Sequence, residues 1–346
     1  MTYSQGRTAR VAVIGFGYWG PNWANTIAGY PEADLCLIVE RDSHRRALAE
    51  KQYPSAKVTS AIELAAFRDI DLAIVATPPA AHGECLLALS ETPCRRVIIE
   101  KPVGIGYPET VTLLNLASQA GIALMVDYTF LETPAFDVLS REVENLGEIE
   151  FVNGARHNLG IFRPDTSVLW DLTVHDLSIV DALFQLRNDL EISCSAVRAL
   201  RSTHPSVATI QIRGADFPFV SIATSWVSPA KIRSMSFHAR AGMALWDDLS
   251  VNEPVRVFAA ESSSSQDALL DYRLAEVRSP LVSGSSALTR KLRLALSDDH
   301  DQISRQDAIR STHIAAFLDA AERSCREEGR YCKPEYKDTH KESRWD

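Results

Sequence analysis

The sequence lacks the features that mark several other classes of protein. None of its apolar runs approaches the ~20 residues that a membrane-spanning helix needs. The N-terminal segment MTYSQGRTAR has no apolar core of a secretory signal peptide. Basic residues do not dominate: the net charge is −9, which disfavours general binding to nucleic acid or to an anionic membrane. We therefore expect a soluble cytoplasmic protein that acts on small molecules.

The six cysteines include no C-x-x-C pair and no zinc-ligand spacing. Cys36 falls in a predicted strand and Cys85 in a predicted helix, so buried, reduced thiols are expected. We expect no metal site. With 346 residues, of which 46% are hydrophobic and 23% charged, the chain has the size of two globular domains, each with its own core.

Residues 10–20, RVAVIGFGYWG, are the most informative part of the sequence. The apolar run Val11–Ile14 does not alternate with polar residues, which is typical of a parallel strand buried on both faces. A Gly-x-Gly-x-x-Gly loop follows at once, and such a loop lets a pyrophosphate approach the backbone at the start of a helix. We expect a dinucleotide to be bound here by Gly15, Phe16, Gly17, Tyr18, Trp19 and Gly20.

The second predicted strand, Leu35–Val39, ends at Glu40. An acid about 20 residues beyond such a loop grips the ribose hydroxyls of NAD and repels the 2′-phosphate of NADP. Arg41, the next residue, would attract that phosphate. The sequence therefore predicts NAD as the cofactor, with NADP as the alternative.

Strand and helix signals alternate over the first part of the chain, which predicts a doubly wound parallel sheet of the Rossmann type over residues 1–127. Further on, apolar residues alternate with polar ones, as in Val207–Arg213 and Phe219–Trp226, which favours antiparallel strands with one covered face. The predicted fold class is α/β: this Rossmann domain is followed by an α+β domain with an open antiparallel sheet. The second domain, residues 128–332, would bind substrate and form oligomers, and a charged tail would occupy 333–346.

Thr77-Pro78-Pro79, with His82 close by, follows the predicted strand Asp71–Ala76. Ligands bind at the carboxyl ends of parallel strands, so one interpretation places Thr77, Pro78 and His82 against the cofactor. The other interpretation is a plain strand exit with a histidine that caps the next helix. These residues alone do not decide between the two.

Glu100-Lys101-Pro102 follows the short predicted strand Val97–Ile99. A lysine at the mouth of a buried strand is partly desolvated, and its ammonium can stabilise the alkoxide that forms as hydride leaves an alcohol. The alternative is a surface lysine paired with Glu100. The position after a parallel strand, with a proline fixing the turn, favours the functional interpretation.

Asp171 and His175 lie one helical turn apart within the predicted helix Asp171–Phe184. A carboxylate beside an imidazole raises its proton affinity and orients it, as a general base requires. An isolated pair with this spacing is more often a capping acid and a solvated histidine.

In this order, GFGYWG, ATPPAAH at 76–82, EKP at 100–102 and DLTVH at 171–175 resemble the Gfo/Idh/MocA oxidoreductase family. The resemblance implies that NAD(P) binds the first domain, with Glu100 and Lys101 beside the nicotinamide. It implies that Lys101 contacts the reacting hydroxyl, often with a cis Lys101–Pro102 bond, and that His175 accepts the proton with help from Asp171. It also implies homodimers or homotetramers that assemble through the open face of the second sheet.

The sequence therefore predicts an NAD(P)-dependent oxidoreductase acting on a CH–OH group of a sugar, nucleotide sugar or cyclitol. Two alternatives remain. One is an enzyme that keeps NAD bound and oxidises its sugar transiently, as a glycosidase or epimerase; the other is a non-catalytic NAD-sensing protein. The further candidates for substrate contacts, beside Asp171 and His175, are Tyr128, Arg156, His157, Asn158, Arg163 and Asp176.

Overall fold

The computed structural model describes residues 7–160, 162–163, 166–200, 202–260 and 274–336 of the chain. The chain divides into two compact units. The first unit contains residues 1–132 and 285–315, and the second contains residues 133–284 and 316–346.

This division differs from the single boundary near residue 127 that the sequence predicted. A late segment, residues 285–315, belongs to the first unit because it supplies apolar side chains to that unit's core. The predicted tail, from residue 337 onward, lies outside the described residues.

The first unit contains the doubly wound parallel sheet that the sequence predicted, with six strands in the order β3-β2-β1-β4-β5-β6. Neighbouring strands are parallel throughout. The central strands are apolar and buried on both faces, as a doubly wound sheet requires. The strands are β1 (Ala9–Ile14), β2 (Ala33–Val39), β3 (Lys57–Thr59), β4 (Leu72–Val75), β5 (Arg96–Glu100) and β6 (Ala123–Asp127).

Four helices alternate with these strands, and only the second of them was not predicted from the sequence. Trp23 and Ile27 on the first helix pack against Val11 and Val13 in the core. The helices are α1 (Gly20–Ala28), α2 (Ser43–Gln52), α3 (His82–Ser90) and α4 (Tyr107–Gln119). Short 3₁₀ turns occur at Leu64–Phe67, Pro79–Ala81 and Thr129–Glu132.

The second unit is built on an eight-stranded sheet in the order β14-β13-β12-β11-β7-β10-β9-β8. The sheet is antiparallel, as predicted, except for the parallel pair β7–β10. In chain order its elements are α5 (Pro134–Leu146), β7 (Ile149–Leu159), α6 (Val174–Phe184), β8 (Glu191–Val197), β9 (Val207–Arg213), β10 (Phe219–Ser225), β11 (Val227–Ala239), β12 (Gly242–Asp247), β13 (Val255–Ala260) and β14 (Leu274–Arg278).

Helix α6 covers one face of this sheet. Thr173, just before the helix, has its hydroxyl 3.0 Å from that of Thr224 on β10. Phe184 at the end of α6 lies against Phe237 on β11. The inward residues of the strands are accordingly apolar and buried, and the outward ones are partly exposed.

Two further helices follow the second sheet in the chain. Helix α7 (Ala287–Leu296) contributes Leu292 and Ala295 to the core of the first unit. Helix α8 spans His300–Arg326. Among the described residues, the helices are too short or too polar for a membrane span.

Candidate active site

The glycine-rich loop between β1 and α1 is tightly folded. Gly15 has a φ of +93°, which favours glycine. A Cβ atom on Gly20 would lie 2.1 Å from the Gly15 carbonyl oxygen, so only glycine lets helix and strand approach this closely. A Cβ atom on Gly17 would have no described atom within 4 Å. The two outer glycines therefore serve packing, and the middle one lies on the open side of the loop.

The N-terminus of α1 offers its backbone N–H groups to a ligand. Among the described residues, no side chain caps this end of the helix, and its first turn carries no acid. The helix dipole makes such an end favourable for an anion. Together with the open side of Gly17, this arrangement fits the pyrophosphate of a dinucleotide.

Glu40 lies at the end of β2, as predicted, but its carboxylate is already engaged by the protein. Its Oε2 accepts a 2.7 Å hydrogen bond from Phe16 N in the glycine-rich loop. Its Oε1 accepts hydrogen bonds from Asp42 N at 2.8 Å and from the Arg45 guanidinium at 3.1 Å. Three donors therefore occupy three of the roughly four acceptor positions of the carboxylate.

Glu40 is ionised in this setting. Burial alone would raise the pKa of Glu40, but the Asp42 and Phe16 N–H groups and the Arg45 guanidinium outweigh it and lower that pKa. One lone pair of Oε2 is left for a ribose hydroxyl. Arg41, the alternative phosphate partner, lies on the surface and pairs with Glu84 at 3.5 Å.

His82 supports the site rather than lining it. The ring is fully buried, with Nδ1 3.0 Å from the Val103 carbonyl oxygen and Nε2 3.1 Å from that of Thr77. It therefore ties the loop after β4 to the loop after β5. Burial lowers the pKa of His82, although its backbone hydrogen bonds oppose the shift. Neither of the two interpretations from the sequence described this role.

Lys101 is the first residue after β5, at the carboxyl end of the sheet. The Lys101–Pro102 peptide bond is cis, as the family resemblance implied. Glu100, the last residue of β5, is buried, and its Oε1 lies 3.3 Å from the indole Nε1 of Trp23. Glu100 therefore faces the interior of the first unit next to α1.

Asp127 is a buried acid at the same edge of the sheet that sequence reasoning missed. It ends β6 and is paired with Glu100 across the strand ladder. Burial and the charge of Asp127 raise the pKa of Glu100 to about 8, and burial raises the pKa of Asp127 to about 6. The sequence did carry a signal for Asp127, because an acid follows the apolar residues of β6 just as Glu100 follows those of β5.

A fully buried lysine, Lys291 on α7, lies close to two other acids, Asp307 and Glu132. Its Nζ lies 2.9 Å from Asp307 Oδ2 and 3.4 Å from Glu132 Oε1. Burial would lower the pKa of Lys291, but the charges of Asp307, Glu132 and Asp127 raise it. Nothing local in the sequence marks Lys291, because its partners are distant in the chain.

Asp171 lies in a π-helical segment, Leu169–Thr173, that precedes α6. The predicted continuous α-helix from 171 to 184 is thus wrong at its start, and the α-helical argument that placed Asp171 and His175 on one face does not apply there. Asp171 Oδ1 accepts a hydrogen bond from Arg163 Nε at 2.9 Å, and Oδ2 accepts one from Trp226 Nε1 at 3.0 Å. His175 lies in the first turn of α6.

Several residues predicted as substrate contacts are engaged within the fold. Arg156 forms a buried bidentate pair with Asp176, with three N–O distances of 2.8 to 3.1 Å. The Tyr128 hydroxyl lies 2.9 Å from Ser311 Oγ. Asn158, near the end of β7, is partly buried, and its Oδ1 has no hydrogen-bond partner among the described residues.

Metal binding has no support in the part of the chain that the structure describes, because no three His, Cys, Asp or Glu side chains are grouped suitably there. The parallel sheet, the glycine loop and Glu40 define an NAD-binding Rossmann domain. Residues 9–128 match the model of the Gfo/Idh/MocA group, described as an oxidoreductase family with an NAD-binding Rossmann fold. This part of the chain is therefore similar to the NAD-binding domain of that family.

The chain is also similar to named proteins. It is 29% identical to myo-inositol dehydrogenase Hyg17 of Streptomyces leeuwenhoekii over 177 residues, which cover 49% of this chain and 54% of the relative. The match thus spans about half the length of that relative.

Two solved structures share the fold. GenD2 from gentamicin A biosynthesis, crystallised with NAD, has a TM-score of 0.74 at 18% identity, covering 97% of this chain and 99% of its own. UDP-N-acetylglucosamine 3-dehydrogenase GnnA of Acidithiobacillus ferrooxidans has a TM-score of 0.74 at 18% identity, covering 91% and 97%. At these identities the likeness shows the fold alone.

Proposed function

We propose that this protein is an NAD-dependent oxidoreductase that interconverts a secondary alcohol and a ketone on a sugar, nucleotide sugar or cyclitol. One observation carries the proposal: a glycine-rich loop bonded to Glu40 and a lysine at the carboxyl end of β5 occur in the same parallel sheet. The first feature binds a dinucleotide, and the second supplies a cation where such sheets bind ligands. The names of the similar proteins support this substrate class.

In the proposed oxidation, each side chain has a separate task. The backbone of Gly15–Gly20 holds the pyrophosphate, and Glu40 accepts a ribose hydroxyl. When bound, the nicotinamide ring takes up or releases the hydride. Lys101 stabilises the negative charge that develops on the substrate oxygen, and His175 takes the hydroxyl proton.

Asp171 is proposed as a positioning residue for substrate or imidazole. Its carboxylate is held by Arg163 and Trp226, so its orientation is fixed before a ligand binds. Arg163 is 43% exposed in its side chain and is the proposed substrate contact of this group. Arg156 is proposed to support the helix that carries His175, through its pair with Asp176.

The test is a screen of the purified full chain against sugars, nucleotide sugars and inositols with NAD and NADP. We expect net formation of NADH, seen by its absorbance, with at least one compound, and weaker activity with NADP because Glu40 repels the 2′-phosphate. Substrate conversion seen by NMR without net NADH would favour transient oxidation by tightly bound NAD. No conversion and no NAD binding would refute the proposal.

We further propose that copies of the chain associate through the outer face of the second sheet. Phe151, Phe219 and His238 are cross-strand neighbours on that face, with ring centroids 6.1 and 5.2 Å from Phe151. Phe219 is 37% exposed. Phe219→Asp should lower the molar mass measured by light scattering, whereas Leu87→Asp, at an exposed apolar position of α3 in the first unit, serves as the control.

A further inference from the structure

Two thiols in the second unit lie in direct contact. Cys194 on β8 and Cys325 near the end of α8 are 131 positions apart in sequence, yet their Sγ atoms are 3.0 Å apart. A disulfide bond is roughly 2 Å long, so closure by about 1 Å would join them. The mechanism proposed above uses neither residue.

The backbone on both sides holds this pair in place. Cys194 N donates a 2.8 Å hydrogen bond to Ser324 Oγ, the residue before Cys325. Helix α8 ends in a turn in which Gly329 N donates to the Ser324 carbonyl oxygen at 2.9 Å. The chain then returns along β8, where Ile192 and Cys332 exchange two backbone hydrogen bonds. The contact between the sulfurs is therefore built into the fold.

The two thiols differ in access and in acidity. Cys194 is 1% exposed, whereas Cys325 is partly exposed to solvent. Their mutual hydrogen bond lowers the pKa of Cys325, and together with burial it raises the pKa of Cys194. An accessible sulfur with thiolate character is the one that an oxidant attacks first.

We propose that Cys194 and Cys325 form an oxidation site that a hydroperoxide converts into an intramolecular disulfide. The Cys325 thiolate attacks one peroxide oxygen, forming an S–O bond, while the O–O bond breaks and the leaving oxygen takes a proton to give water or an alcohol. The Cys194 sulfur then attacks Cys325 Sγ, forming the S–S bond, and the sulfenic oxygen leaves as water with the Cys194 proton. Two thiols lose two electrons, and the peroxide gains them.

The other cysteines are poor competitors for this chemistry. Burial raises the pKa of the Cys94 thiol to about 11, and it also raises the pKa of Cys85. Burial also raises the pKa values of Cys36 and Cys332, and the Cys332 Sγ lies near the Arg330 carbonyl oxygen. The site is therefore expected to react selectively within the described part of the chain.

The test treats the reduced full chain with one equivalent of hydrogen peroxide, followed by alkylation of the remaining thiols. We expect the intact protein to be about 2 Da lighter before alkylation, with four alkylated cysteines and one cross-linked peptide pair joining residues 194 and 325. The bond closes a long loop, so the melting temperature should rise by about 5 °C or more and fall back with dithiothreitol.

Single substitutions separate this proposal from general oxidation. Cys325→Ser and Cys194→Ser should each abolish the cross-link, whereas Cys332→Ser should leave it unchanged. A wild-type protein that keeps all six thiols, joins a different pair, or stops at sulfinic acid on Cys325 with Cys194 still alkylated would overturn the proposal. These outcomes do not depend on dehydrogenase activity.

Discussion

Glu100 and Asp127 show how two buried acids share one edge of a sheet. They close the neighbouring strands β5 and β6 and face each other across the ladder. Two ionised carboxylates at such a position repel each other, and burial disfavours both charges. Burial and the charge of Asp127 together raise the pKa of Glu100 to about 8. The proton on Glu100 is therefore part of the folded structure at neutral pH.

This proton makes stability depend on pH. The folded pKa of Glu100 lies above its ordinary value, so the folded state binds more protons and stability falls as pH rises from about 4.5 to about 8. The substitution Glu100→Gln keeps a side-chain oxygen that can accept the hydrogen bond from the Trp23 indole, and it removes the ionisable carboxyl group. We expect the variant to be more stable than wild type by about 1 kcal/mol or more at pH 9, measured by urea unfolding.

At pH 3, well below the ordinary pKa of glutamate, the two proteins should unfold at nearly the same urea concentration, because wild-type Glu100 is then protonated in both the folded and the unfolded state. Glu91→Gln, an exposed acid after α3, is the control and should show no such dependence. A Glu100→Gln variant that is less stable than wild type at pH 9 would show that the carboxylate is stabilised by its surroundings.

His175 is the residue on which the proposed proton transfer depends. A well-placed general base contributes roughly 10²–10⁴ in rate. His175→Ala should lower kcat by a factor in this range and change the Kd for NADH by less than threefold, measured by stopped-flow and fluorescence titration on the substrate identified in the screen. His44→Ala, which removes an exposed histidine on α2, should leave both constants unchanged. Unaltered turnover in His175→Ala would remove this residue from the mechanism.

At the scale of elements, helix α7 contributes both apolar surface and a buried charge to the first unit. Lys291 is 1% exposed and lies between Asp307 and Glu132. Replacing it with methionine roughly keeps the length of the side chain and removes the buried cation that these two carboxylates share. Because removal of one member of a buried ion pair is costly, Lys291→Met should destabilise the first unit by about 3–5 kcal/mol.

The measurement is urea unfolding at pH 7 and at pH 5. The loss should be smaller at pH 5, where Asp127 is already protonated in part. Arg293→Met changes an exposed cation on the same helix and should cost less than about 0.5 kcal/mol. Equal stability of Lys291→Met and wild type would contradict the role given to this lysine.

Five of the six strands of the first sheet were predictable, because each carries a continuous apolar run, whereas β3 is too short and too polar to show one. The strand β5, for example, lies where the apolar run Val97–Ile99 predicted it. The π-helical segment before α6 was not predictable, since no periodicity in the sequence distinguishes it from an α-helix.

The site was predictable only where one residue follows directly from a strand end. Glu40 and Lys101 meet that condition. Trp226, which holds Asp171, and Lys291, which faces Asp307, depend on contacts between distant segments. His82 was noticed from the sequence, but its bonds to two carbonyl oxygens follow only from the tertiary fold.

For the whole molecule, the discontinuous first unit has a consequence for truncation. Leu292 and Ala295 fill its core together with Val11, Ile74 and Met125. A fragment of residues 1–132 lacks these two side chains and Lys291. We expect this fragment to melt without a cooperative transition in circular dichroism, whereas 1–132 joined by a flexible linker to 285–315 should unfold cooperatively.

Binding of NADH to the two fragments gives a second measure, by quenching of the fluorescence of Trp19 and Trp23. The linked fragment should bind, and the shorter one should bind at least tenfold more weakly. Cooperative unfolding of 1–132 alone would show that the segment 285–315 is dispensable for the first unit.

The carboxylate of Asp307 also accepts a hydrogen bond from the backbone at one edge of the first sheet. Strand β6 is the outermost strand, and Val126 N donates a 2.9 Å hydrogen bond to Asp307 Oδ2. A border strand with unsatisfied amide groups is a template on which another polypeptide can add and aggregate. Here the Asp307 carboxylate on α8 already accepts from the Val126 amide that an added strand would need. A seventh strand therefore cannot pair with the Rossmann sheet at Val126.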